Sequence, residues 1–168
     1  MLKSVHLLAL GALAFAAPIS AQAALGPDAA ACGAGSGSAA FLVNVSGFKN
    51  RGGKLRVQLY GSNPADFLAK GKKLRRIDLP VTRSGPMRVC VAVPHPGQYA
   101  IAVRHDADGN GKSGWNDGGG FSRNPDISLT HLKPSYRQVA VKAGEGVQPV
   151  DVVLNYRQGL KIAPIGRS

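Results

Sequence analysis

Lys54-Leu55-Arg56-Val57-Gln58-Leu59-Tyr60 decides the fold. Leu55, Val57 and Leu59 alternate with Lys54, Arg56 and Gln58. Successive side chains of a strand leave opposite faces, so this stretch has one apolar face and one wet face. The same rhythm recurs on both sides of it. Ala39 to Ser46 precedes it across the polar turn Gly47 to Gly53. Leu74 to Val81, Met87 to Val93 and Gln98 to His105 follow, separated by Ser84-Gly85-Pro86 and Pro94-His95-Pro96-Gly97. Tyr136 to Lys142 and Val150 to Tyr156 complete the set, and Asp66-Phe67-Leu68 forms one helical turn within the loop Gly61 to Gly71. No sustained helical period occurs after the amino-terminal segment. About seven short strands at this spacing predict an all-β, antiparallel two-sheet sandwich of immunoglobulin or transthyretin type rather than a closed barrel.

The ends are read differently. Lys3 followed by the apolar run Val5 to Ala17, Pro18 and the small-x-small Ala21-Gln22-Ala23 predicts a signal peptide over 1–23, cut after Ala23. The run is too short to span a bilayer, and no later stretch is long enough to do so. The product, about 145 residues, is expected to be one secreted or periplasmic domain. Residues 24–38, almost all Ala, Gly and Ser, are expected to form a flexible linker. The sandwich is then 39–158, and 159–168 a basic tail. Cys32 and Cys90 are expected to pair, since export brings an oxidising compartment and only one pairing exists. The alternative is a buried free Cys90 in a strand and a loose Cys32.

Lysine and arginine total 21 against 9 acids, a net charge of +12. The densest run is Lys70, Lys72, Lys73, Arg75 and Arg76. Export removes nucleic acid as a partner, leaving an anionic envelope surface, a glycan or a protein, or a merely solvated face.

The chemistry concentrates in Asp106-Ala107-Asp108-Gly109-Asn110-Gly111-Lys112-Ser113-Gly114-Trp115-Asn116-Asp117. Side-chain oxygens fall at positions one, three and five, glycine at six, and a carboxylate at twelve, the spacing of a calcium loop. Alternate residues point inward together, and the glycine turns the chain so that Lys112 offers its carbonyl. The expected ligands of Ca2+, the one cofactor expected, are therefore Asp106, Asp108, Asn110, Lys112 and Asp117. Position twelve is Asp rather than Glu, and strands replace the flanking helices, so the loop is not an EF-hand. Asx-turns, in which Asp106, Asp108 and Asn110 bond their own backbone, are the reading without metal. Trp115, the one tryptophan, with Phe121 and His105 close by, either caps the sandwich or offers a ring on which a sugar stacks. Neither a triad of Asp106, His105 and Ser122 nor a zinc set of His95, His105 and His131 has supporting motifs, so no catalytic residue and no enzyme is expected.

Two segments carry a resemblance. Phe41 to Asn50 with Gly53 to Tyr60 is similar to the opening of the bacterial domain of unknown function 2141. Pro96 to Asp106, with Asn110-Gly111-Lys112 and Gly120-Phe121-Ser122, resembles that family's most recognisable stretch. The resemblance covers most of 39–157 and implies a secreted or periplasmic β-sandwich of undefined role. The family commonly continues Asn-Gly-Lys with an apolar residue and an acid. Ser113-Gly114 here leaves the ninth ligand position to water.

Overall fold

The computed structural model describes residues 23–166, so the segment 1–22 of the expected signal peptide lies outside the described residues. The strands are β1 (Ala40–Ser46), β2 (Lys54–Tyr60), β3 (Arg75–Pro80), β4 (Met87–Ala92), β5 (Gly97–Asp106) and β6 (Gly118–Phe121). After one helical turn, α1 (Tyr136–Val139), come β7 (Ala140–Ala143), β8 (Val147–Val153), β9 (Asn155–Gln158) and β10 (Lys161–Pro164). They build two packed sheets, a smaller one ordered β4-β1-β8 and a larger one ordered β10-β9-β6-β5-β2-β3, with β7 also on β5. The two-sheet expectation holds. The strand count exceeds seven, and β1 runs antiparallel to β4 but parallel to β8.

The alternation in β2 sends Leu55, Val57 and Leu59 into the core, where they meet Phe41, Val43 and Val45 of β1 and Ile101 and Val103 of β5. From Tyr99 to Val103 β5 has both faces covered. Tyr60, Ala100 and Ala102 pack under Tyr136 and Val139, with Phe67 set edge-on to Tyr60, Phe121 and Tyr136. The expected helical turn in loop 61–71 is a 3-10 turn at Pro64–Asp66, two residues earlier, where the Asn63 side chain accepts the Ala65 N–H.

Three expectations are corrected. Tyr136 to Lys142 is not one strand. Gln138 accepts the Ser135 N–H at 2.8 Å, a capping-box contact that favours a helical turn over 136–139 before β7 begins. Residues 24–38 are not simply a linker either. Leu25 donates to the Arg88 carbonyl at 2.7 Å and accepts from Cys90 N–H at 3.0 Å, extending along β4. Asp28 is buried, accepts Ala92 N–H at 3.1 Å and forms an ion pair with Arg75. Gly26 lies beside Ile77 of β3 and Val89 of β4, so the segment crosses the open side between the sheets. Average composition hid this because the anchors are single residues. The third correction is at the other end, where the tail contributes β10 to the larger sheet.

Cys32 and Cys90 form a disulfide, with Cα atoms 5.9 Å apart. It fixes the end of the amino-terminal segment to β4. No helix among the described residues is long and apolar enough to cross a membrane.

Candidate metal centre and adjoining pocket

At the end of β5 the alternation separates two neighbours. His105 turns into the core and is fully buried. Its Nε2 lies 2.9 Å from the Gly52 carbonyl and its Nδ1 2.6 Å from the Tyr156 hydroxyl. A carbonyl only accepts, so Nε2 carries the proton and Nδ1 accepts from Tyr156. This network ties the 47–53 turn, β5 and β9 together. It makes His105 a structural residue, contrary to its expected place beside Trp115 as a ligand contact.

Burial pushes the Tyr156 hydroxyl up to about 12, opposed by a backbone hydrogen bond from Lys49 and the charge of Arg51, and assisted by Asp117. Burial also raises Tyr60 and Tyr136. A tyrosine that holds its proton more tightly when folded favours the fold below its unfolded value near 10 and loses that contribution as pH rises toward 12. Melting temperature is therefore expected to fall by several degrees between pH 10 and 12. In a Tyr156→Phe variant the fall should be shallower. That variant starts about 1 to 3 kcal/mol less stable at neutral pH, because His105 Nδ1 loses its partner. Melts across this pH range check both.

Asp106, on the opposite face, is 3% exposed and begins the acidic loop. Its Oδ2 accepts Gly111 N–H at 2.9 Å and meets the Arg104 guanidinium at 3.4 Å. Its Oδ1 is buried with no hydrogen-bond partner. Asp117 accepts Ala107 N–H and Gly114 N–H at 3.1 and 3.0 Å, closing the loop on itself. One carboxylate oxygen from each of Asp106, Asp108 and Asp117 lies within 4.8 Å of the others. Calcium holds its oxygens at roughly 2.4 Å, so two of them can be at most about 4.8 Å apart, and the three fit one coordination sphere. These carboxylates could hold a metal ion. The Asn110 side chain is used locally instead. Asn110 donates to Asp108 at 2.6 Å and its Oδ1 accepts Lys112 N–H at 2.7 Å, the Asx-turn pattern.

The alternative constellations are not assembled. Ser122 is buried, accepting Ile101 N–H at 3.1 Å and donating to Val139 O at 2.5 Å. It ties β5 to the end of α1, between the stretches of β5 that pair with β6 and with β7. Asp106, Asp108 and Asp117 form the one group of metal-ligating side chains among the described residues, without His95 or His131. The basic run is largely self-paired: Lys72 with Asp66, Arg75 with Asp28, and Arg76 with Asp78, which also binds Arg56.

Trp115 does not cap the sandwich. It is 74% exposed, with the Arg157 guanidinium 3.9 Å from its ring centroid. Beside it lies a cavity of about 200 Å³ lined by Gly114, Trp115, Asp117, Gly119, Phe121, Ile127, Leu129, Leu132, Asn155, Arg157 and Ile162. Periodicity could not find these walls, which come from four separate segments. The glycines of β6 explain the floor. A Cβ on Gly118 would sit 2.4 Å from the Tyr156 ring, and one on Gly120 2.7 Å from Val152. Both face the core where no side chain fits. Gly119 faces the cavity, and a Cβ there would meet nothing closer than 3.9 Å.

An all-β sandwich with an acidic loop at the end of a central strand is the class that this fold and site define. The profile of a family described as "uncharacterized protein conserved in bacteria (DUF2141)" matches residues 43–151, and the chain belongs to that family. No curated protein and no solved structure matches it.

Proposed function

We propose that this chain is an exported, non-enzymatic binding module of the cell envelope whose loop from Asp106 to Asp117 binds calcium. The observation that carries the reading is the buried Asp106 carboxylate, which clusters with those of Asp108 and Asp117 and whose Oδ1 has no hydrogen-bond partner. An unsatisfied buried acceptor costs about 1 to 3 kcal/mol or more when charged, which a cation would remove. The disulfide is compatible with a place outside the cytoplasm.

Arg104 beside Asp106 opposes a second positive charge, so affinity belongs in the weak range of extracellular modules, roughly 0.1 to 1 mM. At calcium tenfold above Kd the stabilisation is about 1.4 kcal/mol, which raises Tm by roughly 3 to 6 °C for a domain of this size. The check is a pair of melts, one after chelation and one in about 10 mM calcium, tenfold above the weakest Kd expected. An Asp106→Asn, Asp108→Asn variant should show no rise. Equal melting temperatures with and without calcium in the unsubstituted protein would refute the reading.

A second reading, a carbohydrate-binding accessory domain using Trp115, is favoured by the exposure of that ring beside the cavity.

A further inference from the structure

The acidic cluster and the cavity share a residue. Asp117 contributes an oxygen to the three-carboxylate group and also lines the cavity beside Trp115. Calcium takes six to eight oxygens. The cluster supplies three carboxylates, and Asn110 spends its side chain on Asp108 and Lys112. Even with the Lys112 carbonyl as a fourth oxygen, at least two positions are left to water or to the oxygens of a ligand. Two vicinal hydroxyls are such a pair, spaced to replace two waters on one ion. The cavity suits the rest of such a ligand. Leu132 and Ile162 offer apolar surface to the C–H face of a ring, Trp115 offers an aromatic edge, and Asn155 is a hydrogen-bonding group at the same wall.

Gly119 forms part of the cavity floor. Its neighbours Gly118 and Gly120 are glycines because a Cβ would strike the core, but Gly119 has no such restraint and no left-handed backbone. The missing side chain keeps the floor of the cavity open. We infer that Asp106, Asp108 and Asp117 with the Trp115 cavity form one composite site. In it a bound calcium ion and the open floor at Gly119 receive a pyranose ring through two vicinal hydroxyls.

This rests on the calcium reading of the loop, and the test separates the two. The chain has a single tryptophan, so its emission reports from the cavity wall. The purified protein is titrated with the methyl glycosides of glucose, mannose and galactose, up to tens of millimolar, in calcium and after chelation. Calorimetry on the same samples follows calcium itself. The expected result is a saturable change in Trp115 emission with at least one glycoside, abolished by chelation. Gly119→Leu should weaken it tenfold or more while leaving the melt and calcium binding unchanged. Calcium binding without response to any glycoside would overturn the composite site and leave the calcium reading intact. A response that survives chelation, or is unchanged in Gly119→Leu, would overturn it as well. Absence of calcium binding would overturn both.

Discussion

Replacing Gly53 by alanine is expected to destabilise the domain by about 3 kcal/mol or more and to disorder the start of the acidic loop. Gly53 has φ +69°, a conformation that costs an L-residue about 1 to 2 kcal/mol. The larger effect is steric. An added Cβ would lie 1.8 Å from the Asp106 carbonyl oxygen, so either the 47–53 turn or the end of β5 must move. Both choices damage the same region, because Gly52 accepts from His105 and Lys54 pairs with Asp106. Gly111→Ala is the comparison. It has φ +79° but nothing within 4 Å of its added Cβ, so it should lose only the conformational cost of about 1 to 2 kcal/mol. Chemical denaturation of the two variants measures the difference, and equal losses would show that the close approach at Gly53 is not restrictive.

Removing the disulfide should have an effect of similar size. Cys32 and Cys90 are 58 residues apart, and the chain-entropy treatment gives about 4 kcal/mol for a loop of that length. A Cys32→Ser, Cys90→Ser variant is expected to melt roughly 8 to 16 °C lower. The loss should be accompanied by early release of residues 25–32, since Asp28, with its ion pair to Arg75, and the Leu25 pairing on β4 would hold that segment alone. Hydrogen exchange at Leu25, whose N–H is bonded to Arg88, follows the release directly. Protection equal to that of the disulfide-bonded protein would mean that the ion pair and strand pairing suffice.

Much of the sandwich was legible because alternation is a direct imprint of a sheet with one dry face. β2 and the inward half of β5 are where the sequence places them. β6 was not legible. Strands are recognised by their side chains, and here Tyr156 and Val152 take the space that side chains would occupy. The parallel pairing of β1 with β8 leaves no mark on periodicity, which records faces and not partners. The helical turn at Tyr136 was hidden beneath the β-branched Val139 and Val141, although Ser135 and Gln138 carried its capping signal.

The site divides in the same way. Spacing alone located Asp106, Asp108 and Asp117, because a loop that gathers oxygens does so through neighbours in the chain. Position five was misleading, since Asn110 bonds as readily to an adjacent backbone N–H as to a cation. The cavity depends on Gly119, Leu132, Arg157 and Ile162, which only folding brings together. Trp115 was visible as a lone aromatic, but the cation stacked on it was not.

Calorimetric titration of calcium into the chelated protein reads out directly whether the loop binds calcium through Asp106. The expected result is one site per chain, a Kd of roughly 0.1 to 1 mM, and loss of binding in Asp106→Asn with the fold retained. No heat of binding at millimolar calcium, or binding undiminished in Asp106→Asn, would contradict it.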